Sequence, residues 1–288
     1  MINILEILES LTVKRVYDLD VDVLRSMTAP IIEGKEQRQI MDIFCCEKSI
    51  EEDKNGNLAS FVVLAPNGFP LVFFSLRCGE LFKGVSMHKM NIAHEAYLAL
   101  EKLMNDRCVM QEEKDVALNK LRKAQDEGLN LDDIGNLEEK YKSWSIDKRI
   151  DGEKEVNRVL ESYPAIELKL FGINKSAEVY WESIGFPRDI KMGETLFWNN
   201  VVRVLQDVRS YIGCQYVYLF AADEEPDGQL VQYYKVRLGF DANVNISTNK
   251  PHFDWKCQFL YQEMDSLFSG KKHFFHYLKN ELEKLNES

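Results

Sequence analysis

Apolar residues at Ile4, Leu5, Ile7, Leu8 and Leu11 recur in threes and fours, a spacing that predicts a helix at the start of the chain. The rest of the first sixty residues reads as polar and helical, ending in an acidic loop with Asn and Gly, "EKSIEEDKNGN". The pattern then changes. In "LASFVVLAPNGFPLVFFSLRCGELF" two β-rich runs flank Asn67-Gly68, which predicts a hairpin. From about residue 88 to 160 helix formers dominate and apolar positions such as Leu100, Leu103, Met104, Leu118 and Leu121 recur at helical spacing. A turn at Gly128 divides this stretch, which reads as a helical hairpin inserted between strands. It is either a solvated cover for a sheet edge or a lid or dimer arm.

After Pro164 the β character returns. "AIELKLFGIN" predicts a strand, and "GETLFWNNVVRVLQDVRSYIG" an amphipathic helix with Leu196, Phe197, Val201, Val204, Leu205 and Val208 on one broad face. "CQYVYLFAAD" reads as a buried strand and "DGQLVQYYKVRLGF" as a short helix closing on Gly239. "HFDWKCQFLYQEM" alternates Phe253, Trp255, Cys257 and Phe259, as a strand with one buried face does. A charged helix over about 272–286 ends the chain. The order of elements predicts one α/β domain over 1–288, built on a mixed sheet.

Composition narrows the function classes. A chain of 288 residues buries ~75% of its unfolded surface when it folds. The net charge of -11 repels nucleic acid, so no nucleic-acid partner is expected without a local basic patch. The opening residues lack the basic start and cleavage site of a signal peptide, and the most apolar windows are too short to span a bilayer. A cytoplasmic protein with no membrane partner is expected. Six scattered cysteines without a Cys-x-x-Cys pair read as reduced thiols, and His273 with His276 lacks a nearby third ligand, so no metal is expected.

One short stretch carries chemistry: Arg188-Asp-Ile-Lys191-Met192-Gly193-Glu194-Thr195-Leu-Phe, where a glycine-bearing loop opens a helix. With the strand before it, the strand "VYLFAAD" after it and the helix ending "LGF", it resembles the GNAT superfamily of acyl-CoA N-acyltransferases. The resemblance covers residues from about 58 to 85 and 163 to 262. It departs from the family at Lys191, where a glycine is usual, and in the longer loop "NKSAEVYWESIG". The "LGF" helix is also one residue longer than the commonest form.

The resemblance implies a mostly antiparallel sheet flanked by helices, acetyl-CoA as cosubstrate and an amine as acyl acceptor. It leaves a homodimer open. Backbone N–H groups and the dipole at a helix start hold a diphosphate, which implicates Arg188, Lys191, Met192, Gly193, Glu194 and Thr195. A lysine in the glycine position is unstrained only if its φ is negative. Amide groups of Phe171, Gly172 and Ile173, where the family's strand splays from its neighbour, would meet the thioester oxygen. Glu167 stands where some members carry a catalytic base; its two-residue spacing from Lys169 also allows a structural ion pair. A tyrosine on the "LGF" helix, Tyr234 or Tyr233, would protonate the leaving thiolate, or simply pack.

Overall fold

The Asn67-Gly68 turn sets the first register. Gly68 takes φ +82°, the Phe69 N–H donates to Asn67 Oδ1 at 3.1 Å, and Ala65 N–H donates to Phe69 O at 2.9 Å. A positive φ costs glycine nothing, so the chain reverses there without strain. The computed structural model describes residues 4–29, 31–32, 35–36, 44, 47–105, 110–144, 157–184, 186, 190–222, 228–242, 246–248 and 257–287.

In chain order these residues form α1 (Ile4–Ser10), β1 (Thr12–Arg15), α2 (Val21–Arg25), β2 (Ile31–Ile32), β3 (Lys35–Glu36), α3 (Glu47–Lys54), β4 (Ala59–Leu64) and β5 (Pro70–Ser86). Then come α4 (Met87–Asn105), α5 (Gln111–Asp126), α6 (Leu131–Trp144), β6 (Asn157–Ile173) and α7 (Ala177–Ser183). Helix α8 joins Met192–Leu196, a π-helical turn at Phe197–Val201, and Val202–Tyr211. Next are β7 (Tyr216–Ala221), α9 (Gln229–Gln232, continued by a π turn at Tyr233–Arg237), β8 (Ile246–Ser247), β9 (Gln258–Glu263) and α10 (Met264–Glu287).

Two units divide the chain: Met1–Leu81 with Tyr163–Val244 and Thr248–Ser288, and Phe82–Ser162 with Asn245–Ser247. The sheet has the order β1-β4-β5-β6-β7-β9, with β8 pairing to β5. The β1–β4, β4–β5, β5–β8 and β7–β9 pairs are antiparallel, whereas β6 and β7 run parallel. In the first unit, Val62, Leu64 and Phe73 face one apolar cluster with Phe44, Leu24 and Met27. Val63, Val72 and Phe74 face the other, with Leu196, Val201, Leu205 and Leu260. Burial on both faces explains why the hairpin reads as a nearly continuous apolar run.

In the second unit, Ile92, Ala96, Ala124 and Ile134 form a small core of their own. The stretch expected to form a two-helix hairpin holds three helices. Its first part ends with α4 at Asn105, and α5 restarts behind Met110, whose N–H donates to Glu113 Oε2 at 3.3 Å. Gly128 turns the chain again at φ +75°. His94 Nδ1 lies 2.6 Å from Glu138 Oε2 and ties α4 to α6.

Tertiary contacts overrode other local expectations. "EKSIEEDKNGN" contains helix α3 rather than a loop, because Asp53 anchors it to Arg15 and to the Ser60 N–H. Residues 12–15 form an edge strand, drawn out of helical geometry by the ladder to β4. The long loop after β6 holds helix α7, whose Ala177 and Trp181 are buried. On β9 the buried residues are Leu260 and Tyr261; Cys257 and Phe259 are half-buried, and Phe253 and Trp255 lie outside the described residues. The last helix begins at Met264, earlier than expected, since β9 passes straight into it and buries Met264 and Leu267. Among the described residues no helix is long and apolar enough to cross a membrane.

Candidate functional site

Strands β6 and β7 part company in the middle of the sheet. Their parallel register covers Ala165–Glu167 against Tyr216–Tyr218, while β7 stays paired with β9 as far as Ala221. Beyond Glu167, strand β6 continues to Ile173 without a β7 partner. Helix α8 packs on this free stretch, with the Phe171 and Phe197 rings 5.7 Å apart. Backbone groups on an unpaired strand side need water or a ligand.

Two buried polar side chains stand at the vertex of this fork. Glu167 is 1% exposed and receives Arg77 Nε at 2.8 Å and Nη2 at 2.5 Å, both on Oε2. The partner is therefore Arg77 of β5, not Lys169. Tyr218, opposite Glu167 in the register, is also buried. Its phenol reaches β5 at Gly79, where a Cβ would lie 2.3 Å from the Tyr218 hydroxyl. Tyr218 hydrogen-bonds Thr248, whose own hydroxyl donates to Glu80 O at 2.7 Å. Burial first, then the Glu167 charge, pushes the Tyr218 phenol above its usual value.

The start of α8 lies against the free end of β6. Lys191 is its N-cap, with φ -77° and ψ 134°, so the position where a glycine is usual is occupied by lysine without strain. The first helical bond runs from Thr195 N–H to Lys191 O at 3.0 Å, joined by Thr195 Oγ1 to the same oxygen at 3.1 Å. The N–H groups of Met192, Gly193 and Glu194 consequently have no acceptor within the helix. A Cβ on Gly193 would lie 2.9 Å from Ile173 Cδ1 and 3.3 Å from the Tyr233 hydroxyl. The glycine serves close approach, not a special φ. Beside this turn is a pocket of about 570 Å³, lined in part by Ile173, Trp181, Lys191 and Gly193.

Glu194 complicates the first turn. It is 8% exposed, and among the described residues its ion pair is a long one, 3.9 Å from Arg237 Nη1. Burial raises its carboxyl above the usual range, with Arg237 acting in the opposite direction. Arg188 lies outside the described residues. Gly172 is pressed against β5: a Cβ there would meet Phe73 Cζ at 2.3 Å.

The two tyrosines of α9 have different surroundings. The extra residue of this helix is absorbed as a π turn over Tyr233–Arg237, closed by Gly239 at φ +74°. Tyr234 is buried in the core against Phe240, with ring centroids 5.9 Å apart. Tyr233 is half-buried and puts its hydroxyl beside Gly193. Burial, then Tyr234 and Glu194, push its phenol well up, so it stays protonated at neutral pH.

Sequence reasoning missed Arg77, Gly79, Tyr218 and Thr248. Two signals were present in "SLRCGELF": an arginine inside an otherwise apolar strand needs a partner, and a glycine there marks close approach.

No family model matches the chain, and no curated protein sequence does. Solved structures do match it. AtaTR bound with AcCoA aligns at 12% identity over 90% of this chain and 96% of that one, with a TM-score of 0.42. AtaT complexed with acetyl-methionyl-tRNAfMet aligns at 13% identity over 89% and 96%, with a TM-score of 0.40. A KacTA–DNA complex aligns at 14% identity over 92% and 98%, again at 0.40. The first unit has the architecture that the GNAT resemblance implies. It has a mixed, mostly antiparallel sheet, flanking helices, a fork after one parallel pair and a helix start at the fork. The expectation that nucleic acid is excluded is corrected by these neighbours, two of which were solved with tRNA or DNA. A net charge of -11 is a sum, whereas phosphate contacts need only a local set of donors.

Proposed function

We propose that this chain is an acyl-CoA-dependent N-acetyltransferase that moves an acetyl group from acetyl-CoA to an amine by direct attack. The observation that carries the reading is the coincidence of two features at one end of β6. Among the described residues the fork leaves β6 without a β7 partner past Glu167, and α8 begins there with three N–H groups lacking helical acceptors. Met192 and Gly193 N–H, with the Lys191 ammonium, suit a diphosphate, and the missing Cβ lets it approach the backbone.

The thioester supplies an activated acyl group, and the chain's own residues handle the protons. A protonated alkylamine must lose a proton before attack, which costs about 4–5 kcal/mol at neutral pH. Glu167 takes that proton on Oε1, since Arg77 engages Oε2. Amide groups of Phe171 to Ile173 meet the negative charge developing on the carbonyl oxygen. Tyr233, kept protonated and next to Gly193, gives its proton to the departing thiolate. Tyr233→Phe is expected to lower turnover ~10²-fold with acetyl-CoA affinity unchanged.

The test is calorimetric titration with acetyl-CoA of the wild type and of Gly193→Asp. The substitution puts a side chain and a negative charge where the diphosphate would lie, and binding should be lost. Equal binding by both proteins, or binding by neither, rejects the cradle. One observation favours a second reading: the Arg77–Glu167 pair is also what a catalytically silent module with this fold would keep for structure. Such a module binds acetyl-CoA but releases no free thiol with any amine, aminoacyl-tRNA included.

A further inference from the structure

Strand β1 is the outer edge of the sheet, and among the described residues it pairs only with β4. In an antiparallel ladder every second residue turns its N–H and C=O away from the partner strand. Half of Thr12–Arg15 therefore presents backbone donors and acceptors that no described residue takes. Helix α8 runs beside this edge. A groove of about 460 Å³ lies between Val13 and Phe61 of the sheet and Val204, Val208 and Tyr211 of the helix. Val13, Phe61, Val204 and Val208 are only partly buried, and Tyr211 is 87% exposed.

The charges at this groove say what would occupy it. Arg203 lines it beside Val204, and among the described residues its guanidinium makes no ion pair or hydrogen bond. Asp207 stands four residues on, the usual spacing for a helical ion pair, but it acts on Lys271 of α10 instead. Lys271 donates to Gln206 Oε1 at 3.0 Å. Burial first, and Arg203 second, pull its ammonium below the usual lysine value. Two cations from different helices thus repel each other beside the groove, and an added carboxylate would relieve them. On β1 itself Lys14 is exposed. Pairing with a second copy of β1 would set cationic residues against one another, whereas an acidic strand complements them.

We propose that the β1 edge docks an extended segment of a partner protein by strand addition, with an apolar side chain in the groove and, two residues along, a carboxylate on Arg203. The two-residue period of a strand puts both side chains on one face. Main-chain bonds to β1 supply affinity, and the groove supplies selectivity. The coenzyme A reading plays no part in this site, and its test needs no acetyl-CoA.

The probe is a capped, fluorescein-labelled peptide, Thr-Val-Thr-Glu-Thr-Val-Thr, titrated with the full chain and read by fluorescence anisotropy. The parent peptide should bind, and a companion with lysine in place of glutamate should bind ~10-fold more weakly. Two further peptides carry N-methyl groups on one or the other alternate set of residues. One set should abolish binding and the other leave it, since only one set faces β1. Arg203→Glu should invert the preference, so that the lysine peptide binds better than the parent. That substitution removes the repulsion with Lys271, so the fold should hold, and a melting temperature checks it. Lys14→Glu, on an exposed residue, should weaken the parent peptide ~3-fold. No binding of the parent, equal binding of the two methylated forms, or an unchanged preference in Arg203→Glu each overturns the proposal. A chain dimer seen in sedimentation and lost in Arg203→Glu would put a second copy on the edge, and likewise overturns it.

Discussion

Asp53 and Glu167 are both carboxylates buried beside an arginine, yet they stand in opposite surroundings. Asp53 Oδ1 receives Arg15 Nε at 3.0 Å, Arg15 Nη2, and the Ser60 N–H at 2.9 Å. The Arg15 guanidinium lies 5.2 Å from the rings of both Tyr17 and Phe61. Strands β1 and β4 stay paired through Arg15, so the cluster closes a seam. Glu167 also binds one arginine through one oxygen, but the β6–β7 ladder ends at that residue. An ion pair in a continuous ladder staples the fold. The same pair at the end of a ladder stands next to backbone that still lacks partners. The role follows from what adjoins the pair, not from the pair.

That contrast can be broken by experiment, most sharply at Glu167. Glu167→Gln keeps the shape and one acceptor, so stability should fall by only ~1 kcal/mol while turnover falls ~10²–10⁴-fold and acetyl-CoA affinity holds. Unchanged turnover would put Glu167 with Asp53 as a structural group. Asp53→Ala should do the reverse. It strands Arg15 and the Ser60 N–H and should cost about 3 kcal/mol in urea unfolding, at the low end for a broken buried pair because Arg15 is 30% exposed. Turnover per folded molecule should stay the same.

Smaller effects sharpen the picture. Gly172→Ala forces a methyl group onto the Phe73 ring and should cost ~1–3 kcal/mol by overpacking, lowering the urea midpoint. The subtlest concerns Glu194, whose carboxyl is raised by burial in the folded state. The native state then holds more protons than the unfolded one between the unfolded value, near 4.5, and the raised native value. Stability contributed by this group is present below that window and declines as pH rises through it. Melting temperatures of Glu194→Gln against wild type should diverge across the window, the wild type falling more steeply. Parallel curves would mean that the carboxyl is not desolvated.

Much of the fold was legible because its signals are local. Asn67-Gly68 demanded a positive φ at Gly68, the spacing from Leu196 to Leu205 a helix, although its first turns are buried nearly all round, and "LGF" a helix stop at Gly239. The candidate site was legible only along the chain. Lys191 and Gly193 lie at a helix start and Glu167 on a strand, as the local patterns predicted, but Arg77, ninety residues from Glu167, carries no sequence mark of its partner. Helix α3 was read as a loop because its composition is mostly polar; among its described residues Asp53 is buried and Ile50 packs against the apolar cluster. The choice between Tyr233 and Tyr234 was open because a π turn changes which residue faces out, and the spacing of side chains alone does not reveal such a turn.

By itself, then, the sequence determined the β4–β5 hairpin, strands β6 and β7, helices α8 and α9, the turns and the glycine-bearing helix start. These depend on backbone preferences and on the two- and 3.6-residue periods, which act over a few residues. Only the tertiary structure decided where the β6–β7 ladder stops, which arginine meets Glu167 and which tyrosine lies beside Gly193. Each depends on groups far apart in the chain meeting at a few ångströms, and pattern along one strand or helix does not encode that distance.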